Sequence, residues 1–147
     1  MKAKIAGAAL AGLLALGVHQ NGKADRPRIE AHIEDLPNSR GVVRCALFLG
    51  REGFPHKQKM AIAGASVRVV RNQATCVFTD MKPGSYALSF FHDENNNRRL
   101  DTNWLGMPDE PYGASRNPEP RLGPPLFAPS RFVYRGGHAK LRLRPIQ

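Results

Sequence analysis

Most of the side chains able to do chemistry gather in one run, His92-Asp93-Glu94-Asn95-Asn96-Asn97-Arg98-Arg99-Leu100-Asp101-Thr102-Asn103. Counting Asp93 as position 1, Asp93, Asn95, Asn97 and Asp101 offer side-chain oxygens at positions 1, 3, 5 and 9, and the backbone carbonyl of Arg99 falls at position 7. Ca²⁺ is a hard cation that takes about six to eight oxygens at once, and a tightly turned loop brings alternate side chains onto it. The helix–loop–helix form of this pattern carries glycine at position 6 and a bidentate glutamate at position 12, where this chain has Arg98 and Trp104. Without helices on its flanks, the run is expected to be a loop between strands, with Asp109 or Glu110 supplying the missing carboxylate. The same residues also fit a metal-free turn. Asp and Asn bond their own backbone in Asx turns, and Arg98 and Arg99 can neutralise Asp93 and Asp101 in place of a cation.

Other chemistries have thinner support. The sequence holds no Gly-x-Ser-x-Gly, no His-Glu-x-x-His and no phosphate-binding Gly-x-x-x-x-Gly-Lys pattern. Of the five histidines only His92 stands beside carboxylates, and a position next to the turn explains it better than catalysis does. A carboxylate pair such as Asp93 and Asp101 suits acid–base glycoside chemistry only at a fixed separation, which sequence does not set. An enzyme reading would need His92, Glu110 and Ser115 to converge in a pocket.

The elements that must position the loop read as strands. Val43, Cys45, Leu47 and Leu49 alternate toward one face of 43–49, and 65–69 alternates again with Arg68 outward. Asn72-Gln73 is expected to turn the chain into a strand over 74–78. Asp80-Met81-Lys82-Pro83-Gly84 carries turn residues before a central strand over 85–92. Residues 131–134, Gly136-Gly137 and 138–144 read as a closing hairpin. The last strand sets Ala139, Leu141 and Leu143 against Lys140, Arg142 and Arg144, the pattern of a solvated edge blunted by charge. Short strands, Gly/Pro turns and no amphipathic helix predict an all-β, antiparallel β-sandwich. Thr102 to Ser130 stands apart, since it holds seven of the twelve prolines and the only tryptophan, Trp104. Structureless loops beyond about 12–15 residues are usually functional or disordered.

With 147 residues, the chain is expected to form one domain, and 41% hydrophobic content argues against disorder. Lys2 and Lys4 precede the apolar run 5–18, followed by polar residues and small ones suited to cleavage, the build of a signal peptide over 1–24. A cut after Gly17 competes with one after Ala24. The run is too short for a membrane span of about 20 residues, so the mature protein is expected to lack a transmembrane segment and to be periplasmic or extracellular. The cut after Ala24 removes three lysines and no acids, lowering the net charge from +10 to +7. Residues 25–39, with Pro27 and Pro37, read as a linker with at most a short first strand, leaving 40–147 as the domain. In an oxidising compartment Cys45 and Cys76 most simply form a disulfide; free thiols are the alternative, and no Cys-x-x-Cys suggests redox activity. Export and the lack of interleaved aromatics disfavour nucleic acid as a partner. The sequence names no partner; for the basic excess, an anionic envelope component or polysaccharide is a weaker reading than a solvated sheet face.

Several stretches together resemble a bacterial family, the domain of unknown function 2141. They are Gly84-Ser85-Tyr86-Ala87, Phe91-His92-Asp93-Glu94-Asn95, Leu100-Asp101-Thr102-Asn103 and Leu105-Gly106-Met107-Pro108, followed by Glu110, Tyr112-Gly113 and Ser115. Gly41 to Phe48 resembles its opening strand, and Gly123-Pro124-Pro125 with Phe127 and Phe132 its closing part. The resemblance implies an exported immunoglobulin-like or prealbumin-like sandwich and no established activity. The family's loop commonly reads Asp-x-Asn-Gly-Asn-Gly-x-x-Asp, so Asn96 and Arg98 stand at its glycine positions. Together these features predict a non-enzymatic binding or envelope-accessory module with a Ca²⁺-stabilised loop built on Asp93, Asn95, Asn97, Arg99, Asp101 and Glu110. The alternative is a small-ligand carrier or hydrolase-type enzyme with a pocket under residues 102–130.

Overall fold

Alternating apolar residues build two sheets around one core. The computed structural model describes residues 26–119 and 122–146, so the signal peptide expected over 1–24 lies outside the described residues. The smaller sheet orders its strands β4 (Ala74–Thr79), β1 (Arg28–Ile33) and β8 (His138–Leu143). The larger runs β3 (Ala63–Arg68), β2 (Val42–Phe48), β5 (Gly84–Asp93) and β6 (Tyr112–Ala114), and β7 (Phe132–Tyr134) pairs with the start of β5. Helical structure among the described residues is a 3₁₀ turn at Gln58–Met60 and one turn, α1, at Phe127–Ser130.

The period of two in each strand decides what the core contains. Ile29, Ala31 and Ile33 of β1 face Val43, Cys45 and Leu47 of β2, joined by Cys76 and Phe78 of β4 and by Tyr86, Leu88 and Phe90 of β5. Cys45 and Cys76 are bonded, and because they belong to β2 and β4 the bond ties one sheet to the other. β5 is buried along both faces from Tyr86 to Asp93. On the outer face of β2, Phe48 meets Phe54 edge-on, and Phe54 meets Phe127 in the same way.

Several sequence expectations need correction. Residues 28–33 are the central strand of the smaller sheet, where a linker with at most a short first strand was expected; Ile29, Ala31 and Ile33 are fully buried there. That strand runs parallel to β8, so the architecture is not purely antiparallel. The closing hairpin does not form. Gly136 and Gly137, both at positive φ, carry the chain from β7 in the larger sheet to β8 in the smaller. The turn expected at Asn72-Gln73 sits one residue earlier, with Arg71 and Asn72 both left-handed between the bridged Val70 and Gln73, as a two-residue hairpin turn demands. Leu49, expected on the inner face, is 58% exposed because β2 ends at Phe48. β8 does lie at an edge with Lys140 and Arg142 outward. Its face is not a bare cationic stripe, since Glu30 sits there within bonding distance of Arg28 and His138, which hold its carboxyl down to about 2.

Candidate functional site

β5 delivers Asp93 to the end of the larger sheet, and Asp93 folds the loop that follows. Its Oδ1 accepts the Asn97 N–H and its Oδ2 the Arg98 N–H, both at 2.9 Å. Asn95 Oδ1 accepts the Asn97 N–H at 3.1 Å, and Asn97 Oδ1 accepts the Arg99 N–H at 2.9 Å. Nested Asx turns of this kind need left-handed residues between them, and Asn96 (φ 58°) and Arg98 (φ 69°) supply them. These are the two positions where the family pattern carries glycine. The backbone shape is therefore kept although the residues depart, at a cost of about 1–2 kcal/mol for Arg98.

Hydrogen bonds join the side chains of Asn95, Asn97 and Asp101. Asp101 accepts the Asn95 Nδ2 at 2.6 Å and the Asn97 Nδ2 at 2.7 and 2.9 Å. Glu110 closes the ring from the next segment, its Oε1 accepting the Glu94 N–H (2.9 Å) and its Oε2 the Asp101 N–H (3.1 Å). Of the two carboxylates considered, Glu110 is the one whose side chain reaches the loop; Asp109 is exposed and contributes its backbone N–H to Asp101. Arg99 enters through its own N–H. Among the described residues, no three His, Cys, Asp or Glu side chains lie together as a metal-holding group. Any cation here would depend on amide and carbonyl oxygens as well as carboxylates.

Sequence reasoning missed the cations that serve the loop. Arg44, on the outer face of β2, reaches diagonally to Asp93 Oδ2 (2.5 Å) and to Asn96 Oδ1 (2.6 Å), and Arg40 pairs with Glu94. The outward position of Arg44 in an alternating strand was the available signal; the register that sets it opposite Phe91, one diagonal from Asp93, was not. Burial pushes the Asp93 carboxyl up, but the Arg44 guanidinium and the Arg98 and Asn97 N–H groups outweigh it and hold the carboxyl below its usual range. Glu110 shifts the other way. Burial raises it, the Asp101 and Glu94 N–H groups oppose that, and the neighbouring Asp101 and Asp93 charges add to the rise.

Gly41 is a second residue that sequence did not single out for the site. It has φ +63°, and a Cβ there would lie 2.0 Å from the Asp93 carbonyl oxygen and 2.8 Å from Glu94 backbone atoms. Gly41→Ala is expected to cost about 3 kcal/mol or more, because backbone must move at a position already strained for an L-residue. A urea melt of the variant measures this; a loss below 1 kcal/mol would show that the loop does not need the contact.

The residues of the enzyme reading do not converge. His92 is fully buried, its Nε2 bonded to the Arg40 carbonyl at 2.6 Å, and its Nδ1 has no hydrogen-bond partner among the described residues. The Ser115 hydroxyl donates to the Ser130 carbonyl and accepts the Leu88 N–H (2.9 Å), so it is engaged in joining α1 to β5.

A cleft of about 920 Å³ does open beneath part of the 102–130 segment. It is lined by Ser89 and Phe91 of β5, by Tyr112 of β6, by residues 55–60, by Arg98, Arg99, Leu100, Thr102 and Gly106 to Pro108, and by 123–125. His92, Glu110 and Ser115 do not line it. The segment is less irregular than expected, since it contains β6, α1 and a bridge between Thr102 and Pro108. Trp104 is 91% exposed at its turn.

Two all-β sheets closed by an inter-sheet disulfide, with an Asp/Asn loop walling a cleft on the outer face, define a small disulfide-bonded scaffold carrying one elaborated loop. The family of uncharacterised proteins conserved in bacteria, domain of unknown function 2141, matches residues 31–142, and the chain belongs to it. No curated protein and no solved structure matches the chain.

Proposed function

We propose that this chain is an exported, non-enzymatic binding module whose cleft holds a small ligand and whose 93–101 loop is a calcium-stabilised wall of that cleft. One observation carries the reading. The loop that gathers Asp93, Asn95, Asn97 and Asp101 also sends Arg98, Arg99, Leu100 and Thr102 into the cleft lining. A volume of about 920 Å³ falls in the range of small-molecule sites, roughly 300–1,000 Å³. Calcium is supported by residue type and spacing: Asp93, Asn95, Asn97 and Asp101 carry side-chain oxygens on one loop, and Glu110 closes that loop from the next segment. Bound there, Ca²⁺ would supply charge neutralisation and rigidity. Export is supported by the leader pattern of residues 1–24 and by a disulfide, which persists in oxidising compartments.

An immunoglobulin-like or prealbumin-like sandwich is the fold type we attach to this reading. The inter-sheet disulfide supports the former, as does the Tyr86 hydroxyl donating to the Lys82 carbonyl at 2.6 Å, the form of a tyrosine corner.

Titration with the neutral apolar dye N-phenyl-1-naphthylamine, with and without millimolar Ca²⁺, tests both halves. Saturable one-to-one binding, tightened by Ca²⁺ and accompanied by a raised melting temperature, is expected. Asp93→Ala should erase the calcium effect. Arg98→Gly should enlarge it, since glycine takes the left-handed φ freely and a repelling charge is removed. An absence of saturable dye binding would sink the cleft; binding and melting indifferent to Ca²⁺ would remove the metal.

A further inference from the structure

The cleft has a chemical bias that its volume alone does not give. Lys57 and Lys59, at the 3₁₀ turn, line it, and so do Arg98 and Arg99 from the loop after β5; among its described lining residues there is no Asp or Glu. Phe91, Leu100, Met60, Met107 and Pro108 supply the apolar lining. Met60 and Met107 remain about half exposed although both line a concavity. Methionine is the side chain that adapts to varied apolar ligands, and exposed apolar surface rimmed by charge marks a binding groove more often than a bare surface.

We propose that the ligand of this cleft is an amphipathic anion, an alkyl or aryl chain ending in a carboxylate, sulfate or phosphate, and this rests on the cleft being the binding site. The chain lies against Phe91, Leu100 and the two methionines. The anionic head meets the cations of the lining, Lys57, Lys59, Arg98 and Arg99. An uncharged ligand would gain only the apolar contacts, and a cationic one would meet four like charges. Arg98 and Arg99 belong to the loop closed by Asp93 and Glu110, so a well-ordered loop holds half of the head-group site in place.

Displacement of bound N-phenyl-1-naphthylamine by three ligands of one chain length, each below its micellar concentration, tests the assignment: decanoate, decanol and decyltrimethylammonium. Decanoate should bind about tenfold tighter than decanol, with the ammonium weakest, as expected for several exposed ion pairs acting together. The double variant Lys57→Glu/Lys59→Glu, altering exposed side chains away from the Asp93 loop, should weaken decanoate about tenfold and leave decanol within about twofold. Equal affinity for decanoate and decanol, or a preference that survives the double variant, overturns the anionic assignment while the cleft stands. Dye binding that none of the three displaces also overturns it. No dye binding at all overturns the cleft with it.

Discussion

Replacing Cys45 and Cys76 together by alanine is expected to remove about 3–4 kcal/mol of stability, a large share of what a small domain has. The cysteines lie 31 residues apart, and the chain-entropy model gives that size of effect for a closed loop of this length. Position makes the value credible. β4 belongs to the three-stranded sheet and β2 to the larger one, so the bond fixes the only covalent cross-tie between the two layers among the described residues. Without it the layers are held by apolar contacts and by connecting chain. The melting temperature should fall by roughly 10–20 °C. Alkylation of the denatured, unreduced wild-type protein should modify neither cysteine. A double variant melting within a degree or two of wild type would show that the unfolded chain is not restrained by the bond as proposed.

The strands were legible where one face is buried and the other is not. β3 and β4 alternate cleanly and β2 does so in its first half, and the boundaries of all three fall within one or two residues of the alternating runs. β1 was hidden because Arg28, Glu30 and His32 face outward between its three core residues, and flanking prolines gave it the composition of a linker. Pairing was less legible than strand existence. Gly136-Gly137 is a good turn signal, yet nothing local says whether a turn joins two strands of one sheet or passes between sheets. That choice is made by where Phe132 and Tyr134 pack against Tyr86, a contact far away in sequence.

At the site, the oxygen donors could be named from spacing because they lie within nine residues of one another. Glu110 could be proposed because a missing carboxylate had to come from the next segment. Arg44 and Gly41 could not, since both act across β-register: Val42 pairs with Asp93, which sets Arg44 diagonal to its carboxylate and Gly41 against the start of the loop. The cleft was foreseen in place but not in chemistry. Its basic lining joins residues some 40 positions apart, Lys57 and Lys59 with Arg98 and Arg99, and no sequence window contains both.

Asp93→Ala is expected to lower stability by about 3 kcal/mol at pH 7, the second large effect, because one buried carboxylate holds three partners. Removing it leaves Arg44 without its counter-charge and frees the Asn97 and Arg98 N–H groups that define the turn. Asp93→Asn sharpens the test. It keeps the shape, but one oxygen becomes an NH₂ that must face either a guanidinium or a backbone N–H. The pH dependence follows from the depressed folded value of Asp93. Its contribution is fully present above the unfolded carboxyl value of about 4 and is lost as pH falls through the lower folded value. The gap between wild type and Asp93→Asn in urea midpoints should therefore be wide at pH 7 and close progressively below about pH 4. Glu110 cannot mimic this, because its folded value is raised. Its protonation begins at higher pH and relieves a penalty, so stability gains from it as pH falls. A gap that stays constant down to pH 2 would show that the Asp93 charge contributes nothing and that the loop is held by shape alone.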